Sequence, residues 1–197
     1  MRSVAHSLLA NGQFTDALAV VSTATDRLSA RLPTVTPAYL SVFGSLFLVG
    51  AMAAARSNDA PNARALLSNA DVIAQQLGQD ANHLWSAFGP TNVAMHKVSV
   101  AMELGDVQVA ADLGPQVDTS SMPVERRVRH ALEVARAQSA RNRRDEGLDI
   151  VLAAEADAPE QVRYHFISRQ LVIGWVRGSK TKPRPELRQL AERLRVV

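Results

Sequence analysis

The 197-residue chain contains no cysteine. That absence removes disulfide frameworks, thiol nucleophiles and every cysteine-ligated zinc site, and it suits a reducing cytoplasm. Aromatic residues make up only 5% and charged residues 21%, against 47% hydrophobic, which is the composition of a folded domain rather than a disordered tail. Catalytic and metal signatures are missing as well. There is no HExxH, no GxSxG and no GxxxxGK[ST], so the sequence nominates no catalytic residue, no metal and no cofactor, and a non-enzymatic role is expected. Excess charge of one sign is also scarce. The net is +3, and the pI near 9.8 reflects an excess of arginine, which does not titrate away.

Only one uncharged run is long enough to test as a membrane span. Between Arg31 and Arg56 stand 24 residues without a charge, LPTVTPAYLSVFGSLFLVGAMAAA. Pro33 and Pro37 shorten any helix, its last turns are alanine-rich, and no aromatic and basic belt follows. The run therefore predicts a helix packed inside a fold, and no membrane partner. The N-terminus, MRSVAHSLLANGQF, interrupts its apolar patch with His6 and Ser7 and is not expected to be a signal peptide; a cytoplasmic location is the expectation.

Alternation of apolar and polar residues, the mark of a half-buried strand, is almost absent. Apolar residues instead recur at helical spacing, as in Leu66, Leu67, Ala70, Ile73, Ala74 and Leu77, or Val128, Leu132 and Ala135, so the fold class is all-α. Breaks at Asn11-Gly12, Leu32 to Pro37, Asn58 to Pro61, Gly78 to Asn82, Gly89-Pro90, Gly105-Asp106, Ser120 to Pro123, Ala158-Pro159 and Lys180 to Pro185 cut out about ten helices.

Four stretches are similar: NGQFTDALAVV from Asn11, SNDAPNARALL from Ser57, LGDVQVAADLG from Leu104 and RNRRDEGLDIV from Arg141. Each is a polar turn followed by a helix with a small residue in its first turn: Ala17, Ala63, Ala110 or Gly147. Seven residues later come Ala24, Ala70, Val117 and Ala154, and twelve residues earlier stand Ala5, Ala51, Val98 and Ala135. Small residues there let antiparallel helices approach closely, and one hairpin cannot bury its apolar face alone, so hairpins stack. The pattern resembles the tetratricopeptide repeat (TPR), best in the fourth copy, where Ala135, Asn142, Gly147, Ala154 and Pro159 match the motif. Spacings of 46, 47 and 37 residues between copies exceed the TPR period of about 34 and leave a HEAT or armadillo stack as the alternative. The expected organisation is a single TPR-like α-solenoid domain over 1–197. Its helix pairs are expected over 1–30, 36–78, 91–118 and 123–158, with capping helices over 160–197.

A longer likeness begins at Trp85. The segment WSAFGPTNVAMH to His96, followed by VSVAMELGD, PVERRVRHALEVARA, EGLDIVLAAEADAPEQVRYH and PELRQLAERLRV, is similar to the C-terminal sensory half of actinobacterial Xre-type helix-turn-helix transcriptional regulators. The resemblance implies a ligand- or peptide-sensing, dimerising module, a homodimer. It would reach DNA only through a helix-turn-helix domain expected to be absent from this chain. The alternative is an interaction scaffold that holds a partner peptide in its concave groove without switching.

In stacked hairpins the first helix of each pair lines the concave face. Asn92, His96, Ser99 and Glu103 step by four, three and four residues and share one helix face, as a groove wall, a solvated face or internal caps. Val93, Val98, Ala101 and Leu104 take the packed side. The same frame puts Arg56, Arg129, Glu133 and Arg136 on the concave side. That makes a basic groove suited to a small anionic molecule or a short carboxylate-ended peptide held by arginine forks. Arg129 and Glu133 can equally form a pair along their own helix. Neither Asn92 nor Arg136 is assigned to a packing face, so each should be removable without loss of fold. Trp85 and Phe88, beside Gly89-Pro90, either lip the groove or plug the junction between repeats. Tyr39, Phe43 and Phe47 are expected in the core or on a dimer surface, and His83, His130 and His165 as exposed or hydrogen-bonded imidazoles. From Glu160 onward nine basic side chains meet three acidic ones, a net of +6 that phosphates could use. Leu187, Leu190, Ala191 and Leu194 nevertheless form an apolar stripe, which predicts a capping helix with its charges in water.

Overall fold

The computed structural model describes residues 1–30, 35–179 and 182–196. Among them are eleven α-helices, two 3-10 turns and no strand, only a bridge between Ala81 and Phe88. The helices are α1 (Arg2–Ala10), α2 (Phe14–Ser29), α3 (Pro37–Arg56), α4 (Ala60–Leu77), α5 (Pro90–Glu103), α6 (Val107–Leu113), α7 (Val124–Ala140), α8 (Arg144–Asp157), α9 (Pro159–Tyr164), α10 (Phe166–Arg177) and α11 (Pro185–Arg193). Parts of two expected breaks, 31–34 and 180–181, lie outside the described residues.

Local chemistry explains the repeat. Gly12, Asn58, Gly105 and Asn142 all take left-handed φ values, between 61° and 79°. That backbone suits glycine or asparagine. The residue after each then donates its N–H back to a carbonyl five residues earlier: Gln13 to Leu8, Asp59 to Ala54, Asp106 to Ala101 and Arg143 to Gln138, all within 2.8–2.9 Å. These are four copies of one helix-ending motif. Each reverses the chain within three residues, which is what a helical hairpin requires. Helix starts are equally local. Thr36 accepts the Tyr39 N–H ahead of Pro37, and Asp59 accepts the Asn62 N–H, each at 3.2 Å.

The chain divides into two compact units, Met1–Asp106 and Val107–Val197, with the division inside the hairpin expected over 91–118. In the first unit α3 packs against α1, α2, α4 and α5. The mean hydropathy of 1.8 over an 18-residue window of this 20-residue helix would pass for a membrane span, yet 72% of that window is buried. The small residues Ala5, Ala17, Ala51, Ala63 and Ala70 are fully buried, as close helix approach demands. In the second unit α7 packs on α6, α8 and α10, and α11 packs on α10. A Cβ on Gly147 would meet the Ala135 carbonyl at 3.1 Å and the Trp175 ring at 3.2 Å, so the smallest residue sits where α7 and α8 come closest. The third hairpin departs from the frame: α6 stops after seven residues at Gly114-Pro115, and Val117 falls in extended chain. Leu187, Leu190 and Leu194 are buried, as the apolar stripe on α11 predicts.

Candidate functional site

In the first unit the polar stripe of α5 runs from buried to half-buried. Asn92 is 2% exposed and its side-chain oxygen has no hydrogen-bond partner among the described residues. Its backbone carbonyl lies 2.9 Å from His96 Nδ1. Ser99 donates to the Met95 carbonyl at 3.3 Å, and Glu103 lies 3.7 Å from Arg56 at the end of α3. The stripe thus spends much of its polarity on its own helix and on α3.

The residues before α5 form a tightly bonded loop. Ala81 donates to the Phe88 carbonyl, the Asn82 side chain accepts the Ala87 N–H, and the Asp80 carboxylate accepts the Thr91 N–H, each at 3.0 Å. This loop separates the two aromatics. Phe88 is fully buried, its ring filling the space over Gly44 of α3 so completely that a Cβ there would overlap it. Of the two readings of Phe88, the groove lip is therefore corrected to the core plug. Trp85 is 85% exposed, and it and Leu84 take positive φ values of 58° and 52°. Arg2 donates to the backbone carbonyls of both, at 3.2 Å to Leu84 and 3.5 Å to Trp85.

In the second unit Arg129 is exposed, and Glu133 is buried with Arg136 at 3.3 Å. That pair overturns one expectation: removing Arg136 takes a charged partner from a buried carboxylate, so the change is not neutral to folding. Arg136 also lines a hollow of about 330 Å³ between α7 and α10, with Ser139, Ile167, Gln170, Leu171, Gly174 and Trp175. Ser139 accepts the Trp175 indole N–H at 2.8 Å, which fixes the ring beside the hollow. Ile167, Gln170, Leu171 and Gly174 share one face of α10, and the seven helical steps from first to last cover about 10 Å, the length of roughly three extended residues. The lining thus sets the Arg136–Glu133 pair beside the apolar side chains of Ile167, Leu171 and Trp175. The α10 residues of this trough escaped the sequence reading; a glycine inside a predicted helix was the one available signal.

Two of the remaining histidines are structural. His130 is buried with Nε2 3.0 Å from the Gly114 carbonyl; burial pushes its pKa down, against the pull of that carbonyl. His165 Nδ1 accepts the Ile167 N–H and caps α10. Burial, then nearby Arg129, push its pKa down, opposed by Glu125. His83 is exposed. Against the first unit's core, Tyr39 stacks on Phe43 at 5.4 Å and Phe43 meets Phe47 edge-on at 5.0 Å. Part of the basic tail is paired. Arg193 holds Glu155 through two bonds of 2.6–2.7 Å, and Arg184 reaches Asp145 and Asp149 at 3.4 and 3.1 Å. The acids of α8 offset part of a charge that looked uncompensated along the sequence. No cluster of metal-ligating side chains occurs among the described residues.

No protein-family model and no curated protein matches the sequence. Two solved structures do, both of the nearly identical TPR-like repeats of a Podosopora anserina protein assigned as a kinesin light chain. One aligns with a TM-score of 0.62 at 19% identity over 98% of this chain and 91% of that one. The other, at 18% identity, has the same TM-score and coverage. At such identity the likeness establishes the fold, and the fold is TPR-like.

Proposed function

We propose that the chain is a peptide-sensing module of a transcriptional regulator, and that the hollow between α7 and α10 receives a short peptide by its terminal carboxylate. The observation that carries the peptide reading is the hollow itself: Arg136 beside an apolar trough about three residues long, on the first helices of consecutive hairpins. Such a site needs no catalytic group, in keeping with a binding rather than an enzymatic role. The regulator reading rests on the likeness of the Trp85–His96 segment and its followers to Xre-type sensory halves. In this reading the module works in the cytoplasm as a homodimer, and DNA is read by a separate helix-turn-helix domain.

Fluorescence anisotropy with labelled tripeptides tests the peptide reading. Peptides with a free C-terminal carboxylate should bind at least tenfold more tightly than their amides. Arg136→Lys, which keeps the charge beside Glu133 but removes the planar fork, should erase most of that difference. Equal binding of acids and amides would end the proposal. Hydrogen exchange then separates a sensor from a scaffold: a sensor changes protection in helices that do not touch the peptide, a scaffold only at the hollow.

A further inference from the structure

A second hollow, of about 370 Å³, lies within the first unit, where the start of α1 meets the last turns of α2 and the first half of α3. Ala24, Leu28, Val42 and Leu46 line it with apolar surface, and Arg2 and Arg27 bring two positive charges to it. Neither guanidinium has a carboxylate within ion-pair distance among the described residues. Arg2 donates to the Leu84 and Trp85 carbonyls, which uses two of its five N–H donors and leaves its charge uncompensated. Asp26 adjoins Arg27 in sequence, but its carboxylate accepts from Ser22 at 3.5 Å. The α2 dipole favours a cation in the last turn, where Arg27 stands; it does not call for a second cation from α1 at the same apolar hollow. Two like charges there repel each other, and an anion would relieve the repulsion. The second unit differs, since Arg136 is held by the buried carboxylate of Glu133.

We propose that this hollow binds a free aliphatic carboxylate, its head at Arg2 and Arg27 and its chain against Leu28, Val42 and Leu46. A planar carboxylate matches the guanidinium fork, and a hydrocarbon chain gains by covering the apolar wall. The size of the ligand follows from the space. At about 30 Å³ for each water, 370 Å³ holds roughly a dozen non-hydrogen atoms, which a carboxylate with a chain of about eight to ten carbons supplies. The volume falls at the small end of the roughly 300–1,000 Å³ of small-ligand sites. This site is separate from the hollow between α7 and α10 and does not depend on the peptide reading.

Titration calorimetry of the full chain tests the site with sodium octanoate, sodium acetate and octylammonium chloride. Octanoate should bind at least about tenfold more tightly than either of the others, because acetate lacks the chain and octylammonium carries the wrong charge. Arg27→Gln and Arg2→Gln should each weaken octanoate binding by at least about fivefold. Arg64→Gln removes a positive charge from the same unit, at the surface pair with Asp106, and should stay within about twofold of the wild type. Arg27 makes no bond that holds the fold, so Arg27→Gln should melt with the wild type and keeps the test valid even if Arg2→Gln loosens the loop at Leu84 and Trp85. Octylammonium or acetate binding as tightly as octanoate overturns the site. So does an Arg27→Gln protein with undiminished affinity, an equal loss in Arg64→Gln, or the absence of any octanoate binding at millimolar concentration.

Discussion

Gly44 and Phe88 offer a perturbation whose sign should reverse with context. Phe88 is fully buried in the first unit, so Phe88→Ala removes a ring and leaves a cavity, at a cost of about 3–5 kcal/mol. Gly44→Ala places a methyl where that ring stands. Overpacking of this kind costs about 1–3 kcal/mol, only partly offset by the roughly 0.5–1 kcal/mol that alanine gains over glycine inside a helix. Once Phe88 is alanine, the obstruction is gone. Gly44→Ala should then stabilise the protein by about 0.5–1 kcal/mol from helix propensity, with some further gain from cavity filling. The two changes are thus coupled by about 1–3 kcal/mol, the range seen for residues in contact. Urea unfolding of the four proteins, followed by far-ultraviolet circular dichroism, measures the cycle. Should the first unit not fold as Phe88→Ala, Phe88→Leu serves the same cycle with a smaller cavity. Equal effects of Gly44→Ala in both backgrounds would refute the ring-on-glycine packing and with it the core role of Phe88.

Other consequences follow from the same geometry. Ala110→Leu or Ala154→Leu, at buried small positions of the hairpins, should each cost about 1–3 kcal/mol, and an unchanged melting point in both would contradict the repeat frame. Leu190→Ala should cost about 2–5 kcal/mol, because α11 docks through fully buried leucines; a surface-like loss below about 0.5 kcal/mol would deny its capping role. His130 and His165 both have lowered pKa values in the folded chain. Their neutral forms are favoured on folding, so their contribution is complete above about pH 6.5 and is lost as pH falls through the lowered folded-state values. Melting temperatures between pH 7.5 and 5 should therefore drop less steeply in His130→Gln and His165→Asn proteins, and slopes identical to wild type would refute the assignment. With two arginines of its basic tail, Arg184 and Arg193, paired to α8, the chain alone should bind duplex DNA no better than about micromolar at physiological salt and without sequence preference. A nanomolar, sequence-selective gel shift would contradict that.

What the sequence alone determined is local chemistry. Period 3.6 made the chain helical, and the turns at Gly12, Asn58, Gly105 and Asn142 were legible because left-handed backbone admits few residue types. The alanines opposite them marked the hairpins because close helix approach excludes larger side chains. The α11 stripe was legible for the same reason, since amphipathicity is written along one element. What only the tertiary structure decided depends on residues far apart in the chain. Phe88 became core because Gly44, on another helix, leaves a ring-sized gap, and neither residue announces the other. The tail lost part of its apparent charge because Asp145, Asp149 and Glu155 project from α8 towards Arg184 and Arg193. Arg136, placed on the concave face from sequence, acquired a buried partner in Glu133 and a trough built by α10. A trough is a space between helices, and no single helix carries the information for its shape; Gly174 could be seen as a helix irregularity in sequence, but only the packing of α7 against α10 shows that nothing fills the room it leaves.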